Sequence, residues 1–123
     1  MKDIRGKTAA VTGAASGIGR MLAVNLAKEG CNLALADIDE AGLAETARLA
    51  GSRVRVSTHA VDVSNRKQVY EYAEAAEKNH GCVDMIVNNA GVVVADFLET
   101  IVFVRDGGRW LMILMRSLYN SIT

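Results

Sequence analysis

The residues best arranged for chemistry are TGAASGIG, Thr12 to Gly19. They lie between an apolar run, Thr8-Ala9-Ala10-Val11, and a segment in which Ile18, Leu22 and Leu26 recur at helical spacing. Gly13 can turn the chain tightly at the end of a strand, and Gly17 lets backbone approach an anion. Gly19 allows the helix to press on the strand. The helix then opens with unbonded N–H groups and a partial positive charge. That combination predicts a seat for a pyrophosphate. Glycine also marks ordinary turns; the strand-turn-helix context sets this cluster apart.

A second group stands 18 residues beyond Gly19: Asp37, after the apolar run Asn32 to Ala36. A dinucleotide-binding fold places an acid there to hydrogen-bond the adenosine ribose. The same carboxylate repels a 2′-phosphate, and Ile38-Asp39-Glu40 carries no cation to neutralise one, so NAD is favoured over NADP. Asp37 or Asp39 also suits the N-cap of the helix that follows. His59 and His80 have no evident partner in the sequence and are read as non-catalytic. His80 falls in the last turn of a helix, where a positive charge suits the dipole. Arg66, Lys67 and Lys78 with Glu71, Glu74 and Glu77 read as a solvated helix face. Cys31 and Cys82 show no metal-ligand or redox spacing and read as small buried hydrophobes.

Positioning these groups needs an alternation of strands and helices, and the chain has one. Thr8–Val11, Asn32–Ala36 and Val83–Val87 are continuous apolar runs, as strands buried on both faces require. Arg53–Ser57 alternates, with Val54 and Val56 on one side, as an edge strand does. Between them lie segments of helical period. The first, Gly17–Lys28, is followed by Gly30; the second, Ala41–Ala50, turns Leu43, Ala47 and Ala50 inward and stops at Gly51. The third is capped by Ser64 or Asn65, turns Val69, Ala73 and Ala76 inward and is followed by Gly81. Right-handed crossovers then give an α/β fold, a Rossmann-type doubly wound parallel sheet of strand order 3-2-1-4. Residues 1–100 read as a dinucleotide-binding domain and 101–123 as a divergent tail. In the tail, Ile101–Val104 and Trp110–Met115 flank Arg105-Asp106-Gly107-Gly108, consistent with two strands around an Asp-Gly turn. A helix over Arg109–Tyr119 competes, because short apolar runs do not separate the two states.

Composition narrows the function classes. In 123 residues, 50% are apolar, and 14 Lys+Arg balance 14 Asp+Glu. Such a chain can bury a core, which excludes intrinsic disorder. A net charge of zero argues against nucleic acid or an anionic membrane as partner. The longest apolar run, Trp110–Met115, is far below the roughly 20 residues that span a bilayer. Without a secretory h-region after MKDIRGK, the reading is cytoplasmic.

Together TGAASGIG, Asp37, Asp62-Val63 and Asn88-Asn89-Ala90-Gly91 resemble the cofactor half of a short-chain dehydrogenase/reductase, in order and spacing over about residues 5–100. The resemblance implies hydride transfer between a nicotinamide cofactor, NAD, and an alcohol or ketone. It implies that Asp62 meets the adenine amino group beside the Val63 backbone, and that Ile38 flanks the adenine. Ser16 and Ile18 would lie along the pyrophosphate turn with Gly13, Gly17 and Gly19. Asn89, Ala90 and Gly91 would line the cofactor cleft. The family's acid-base machinery is an Asn, a Ser, and a Tyr with Lys four residues later. It has no counterpart here: Tyr119 is followed at that spacing by Thr123. The expectation is therefore an NAD(H)-binding portion of such an enzyme that is not catalytic as this chain. The alternative is an interaction module or truncated isoform pairing with itself or with a full-length family member. A reading frame shifted near Met112 is one explanation of the divergent tail.

Overall fold

The computed structural model describes residues 3–94, 97–106 and 109–118. Its elements run β1 (Thr8–Thr12), α1 (Gly17–Lys28), β2 (Asn32–Asp37), α2 (Glu40–Ala50), β3 (Val56–Ala60), α3 (Arg66–His80), β4 (Met85–Val94), β5 (Phe97–Asp106) and β6 (Arg109–Leu118). They form one sheet of order β3-β2-β1-β4-β5-β6. β1 pairs parallel with β2, Ala10 opposite Ala34, and with β4, Ala10 opposite Ile86. The first four strands thus form a Rossmann-like parallel sheet in the expected order 3-2-1-4. β5 and β6 then continue it antiparallel, so the structure has strands where the sequence left hairpin and helix both open. β5 straddles residue 100.

The unbroken apolar runs of β1 and β2 follow from helices on both faces. On one face Val11, Leu33 and Leu35 pack with Ala23 and Ala27 of α1 and Leu43 of α2. On the other, Ala10, Ala34 and Ala36 meet Tyr72 and Ala76 of α3. Alanine at the sheet surface brings α3 close enough for the Tyr72 hydroxyl to donate to the Ala34 carbonyl at 2.6 Å. Burial pushes the Tyr72 phenol well above its ordinary pKa, so it serves as a fixed donor.

Several elements depart from the expectations, each for a physical reason. The third strand is 56–60, not 53–57. Leu33 N–H donates to the Arg55 carbonyl at 2.9 Å, and the ladder then follows β2 from Leu33 to Asp37. The length of β2 therefore sets the end of β3 at Ala60. The fourth strand is not 83–87 but begins at Met85, and its antiparallel partner β5 carries it through Asn88–Gly91 to Val94. That motif therefore lies within a strand, at a register irregularity between Asn88 and Val92. Val69 and Ala73 are exposed, because the sheet face beside α3 is open. They line a groove of about 800 Å³ with Val83, Ile86 and Phe103. Cys82 lies in the same groove and is exposed, whereas Cys31 is buried and its thiol is pushed up to about 11 by burial. The Cys82 thiol meets the Arg105 guanidinium, which also pairs with Asp84 at 3.6 Å.

His59 and His80 are not without partners. Both Nε2 atoms lie 2.8 Å from the Ser57 hydroxyl, which ties the edge strand to the end of α3. His59 also tilts against the Tyr72 ring, centroids 5.1 Å apart. Partial burial holds both imidazoles below the usual histidine range, and Arg55 adds to the effect at His80.

Two outcomes test this packing. Tyr72→Phe leaves the Ala34 carbonyl without that donor and should lower unfolding free energy by about 1 kcal/mol in urea titration. Acidification should destabilise the fold through the histidines: their folded values lie below the unfolded value of about 6.5, so the unfolded chain takes up protons first. Stability is full above that pH and falls as pH drops through the lower folded values. In His59→Gln/His80→Gln, urea midpoints between pH 7.5 and 5 should show a shallower loss.

Candidate functional site

The carboxyl ends of β1 and β2 lie at one end of the parallel sheet with the middle of β4, just past Val87, beside the amino end of α1. Between β1 and α1 the chain turns with φ of +65° at Gly13 and +59° at Gly17, which side chains rarely adopt. Gly19 is required for space: a Cβ there would lie 2.7 Å from the carbonyl carbon of Gly13. α1 therefore approaches β1 at backbone contact.

Two of the three helices are capped by a side chain. Asp39 accepts from Gly42 N–H at 2.9 Å, and Asn65 accepts from Gln68 N–H at 3.2 Å. These settle the two open choices of cap. At α1, Ser16 occupies the cap position in extended conformation and makes no side-chain cap bond. The N–H groups of Gly17, Ile18 and Gly19 have no intrahelical acceptor, being in the first turn. Ile18 itself is buried, whereas Ser16 and Gly17 are exposed.

With Asp39 as cap, Asp37 is available at the end of β2. Its Oδ2 accepts from Ala15 N–H and its Oδ1 from Asp39 N–H, both at 3.1 Å. The carboxylate is thereby held against the glycine turn, with lone pairs left for a further donor. Beside it Ile38 is 72% exposed, and Val63, past β3, is 62% exposed. Two large apolar side chains in water at the ends of adjacent strands suit a flat apolar group. Asp62 is exposed; its Oδ1 accepts from Ser64 N–H at 3.0 Å and Ser64 Oγ at 2.6 Å. Those bonds hold its carboxyl below the usual range.

At β4, Thr12 Oγ1 donates to Asn88 Oδ1 and accepts from Asn89 N–H, both at 3.2 Å. The Asn89 side chain lies over Gly13, its Nδ2 3.1 Å from where a Cβ would be. Asn89 Oδ1 is buried and has no partner among the described residues, a cost that a bound donor would relieve. Ala90 and Gly91 follow in the backbone of β4, within its register irregularity.

The sequence reasoning missed the residues behind the turn. Thr46 is buried in α2, and its hydroxyl donates to the Ala14 carbonyl at 2.7 Å. Arg20 donates from Nε to Thr46 Oγ1 at 2.9 Å and from Nη2 to the carbonyls of Ala15 at 2.6 Å and Gly42 at 3.1 Å. A signal existed, since Thr46 is a polar residue one turn after Leu43 on an otherwise apolar face. Among the described residues no group of three or more His, Cys, Asp or Glu could hold a metal. No described helix is long and apolar enough to cross a membrane.

The site thus offers unbonded N–H groups at α1, a carboxylate at Asp37 and exposed apolar side chains at Ile38 and Val63. Known proteins are similar to this chain. Residues 7–103 match the family model described as short chain dehydrogenase. Short-chain dehydrogenase/reductase family 16C member 6 of Bos taurus is 43% identical over 102 residues, 80% of this chain and 32% of that protein. A short-chain dehydrogenase from Mycobacterium paratuberculosis, solved bound to NAD, superposes with a TM-score of 0.69 at 30% identity, covering 75% of this chain and 39% of the other. One from Burkholderia phymatum, in complex with NAD, is 45% identical with a TM-score of 0.65, covering 75% and 33%. The chain spans about a third of the length of these relatives. By its match over most of its residues, the chain belongs to the short-chain dehydrogenase/reductase family of oxidoreductases.

Proposed function

We propose that the chain is the NAD(H)-binding portion of a short-chain dehydrogenase/reductase. The observation that carries this is the uncapped amino end of α1, set behind the Gly13–Gly19 turn with the Asp37 carboxylate bonded to that turn. A pyrophosphate would take the N–H groups of α1. Asp37 would accept the ribose hydroxyls, and its charge would disfavour a 2′-phosphate. Asp62 and the Val63 backbone would meet the adenine, flanked by Ile38. Asn89, Ala90 and Gly91 would line the cleft beyond the pyrophosphate. NAD supplies the hydride chemistry when bound; these residues bind and orient it.

Hydride transfer by these 123 residues alone is not part of the proposal. No Tyr among them is followed four residues later by Lys, and buried Tyr72 already donates to Ala34. We read residues 1–100 as the binding domain, 101–123 as a tail and the compartment as cytoplasmic. Pairing with a second copy or a full-length family member is a second reading, favoured by the open apolar groove beside α3.

Two variants test the cofactor reading. Gly19→Val forces a side chain into the Gly13 carbonyl and should abolish NADH binding in titration calorimetry. Circular dichroism should still show a folded sheet; undiminished affinity in a folded variant contradicts the proposed turn. Asp37→Ser removes a charged acceptor worth on the order of 1.5–3 kcal/mol, so NAD affinity should fall about tenfold or more while NADP loses less. An unchanged NAD to NADP ratio would mean that Asp37 only braces the turn.

A further inference from the structure

Three successive peptide groups of the glycine turn are each tied down on one side. Ala14 N–H donates to the Ala36 carbonyl at 3.1 Å. The Ala14 carbonyl accepts from Thr46 Oγ1 at 2.7 Å, and the Ala15 carbonyl accepts from Arg20 Nη2 at 2.6 Å. Thr46 and Arg20 are themselves joined, Nε to Oγ1 at 2.9 Å, and Arg20 Nη2 also donates to the Gly42 carbonyl in the first turn of α2.

In a trans peptide the C=O and the following N–H point in opposite directions. Drawing the Ala14 carbonyl toward α2 therefore sends the Ala15 N–H the other way, where it meets Asp37 Oδ2 at 3.1 Å. Drawing the Ala15 carbonyl to Arg20 likewise sends the Ser16 N–H away from α2. Ser16 is exposed and immediately precedes the uncapped turn of α1.

We infer that Thr46 and Arg20 are positioning residues for cofactor binding: through the Ala14 and Ala15 carbonyls they aim one N–H at Asp37 and the next at an anion. The inference rests on the reading of the turn as a pyrophosphate seat. Donors fixed before the ligand arrives need no ordering when it binds, so affinity for the anion is the quantity at stake. A guanidinium suits the task because its rigid fork spans Thr46, Ala15 and Gly42 at once, which an ammonium does not.

The test compares the whole chain with Thr46→Val, Thr46→Ser and Arg20→Lys in binding NADH, ADP-ribose and adenosine, with melting temperature as the control for folding. Thr46→Val and Arg20→Lys should each weaken NADH and ADP-ribose by about tenfold, the loss expected for one strong hydrogen bond. Adenosine, which lacks the pyrophosphate, should lose less than about twofold in Arg20→Lys, which acts on the Ser16 N–H. In Thr46→Val, which also loosens the Asp37 contact, its loss should stay below that of ADP-ribose. Thr46→Ser keeps the hydroxyl and should restore most of the affinity. Should Thr46→Val fail to fold, Arg20→Lys and Thr46→Ser still decide the matter. Equal losses for adenosine and ADP-ribose, or no loss in a folded Arg20→Lys, overturn the inference alone. Adenosine binding by the unaltered chain without binding of ADP-ribose or NADH overturns the pyrophosphate reading and this inference with it.

Discussion

The backbone contact between α1 and β1 is the constraint on which the site depends. With no side chain tolerated at Gly19, the helix begins almost on top of the strand end, and its unbonded N–H groups emerge where the parallel strands terminate. A helix set back by one side-chain layer would present the same groups several ångströms away, at the rim of the sheet. The approach also sets the chain path. Having left β1 at Gly13, the backbone must return within four residues, so the peptides of Ala14 and Ala15 cross the end of β2. Asp37 reaches Ala15 N–H for that reason.

A turn in such a path is not stable by its own bonds, and its support comes from the second crossover. α1 and α2 lie side by side on one face of the sheet, so the first turn of α2 stands against the glycine loop. Thr46, one turn further along α2, is fully buried. Its hydroxyl has to be satisfied, and the Ala14 carbonyl has to be satisfied as well. One hydrogen bond settles both, and the Arg20 fork closes the remaining side. The residues that would touch a cofactor are mostly small or backbone; those that hold them in place are Thr46 of α2 and Arg20 of α1, which bonds across to α2.

Local patterns made the first half of the chain legible. Glycine spacing, apolar runs and helix-stop glycines located α1 at its observed bounds, and the alternation of elements gave the order 3-2-1-4. What failed depended on distant partners. The alternation at Arg53–Ser57 is a real pattern, but the ladder of β2 overrides it and moves the strand three residues on. Val69 and Ala73 have the right spacing for an inward face, yet inwardness needs something opposite, and beside α3 the sheet is open. Ser57 joins His59 and His80 only because β3 lies next to the end of α3, which no spacing along one segment reveals.

The change from parallel to antiparallel pairing separates two parts of the sheet. A parallel neighbour for β4 needs a crossover, and the crossover that brought α3 to its face would place the next helix on that same face. β5 instead returns directly, so no helix arises and the groove beside α3 stays open. The half of the cleft formed by β1, β2 and α1 does not depend on this choice. Its hydrogen bonds, from Ala14 to Ala36, Ala15 to Asp37, Thr46 to Ala14 and Arg20 to Ala15, all lie within residues 14–46. The β4 side does depend on it, because Asn88 pairs with Ile101 of β5 and residues 89–91 fall in the irregularity of that ladder. On the proposed reading, the adenosine and pyrophosphate end is thus set by local crossovers, and the far end by whatever pairs with β4.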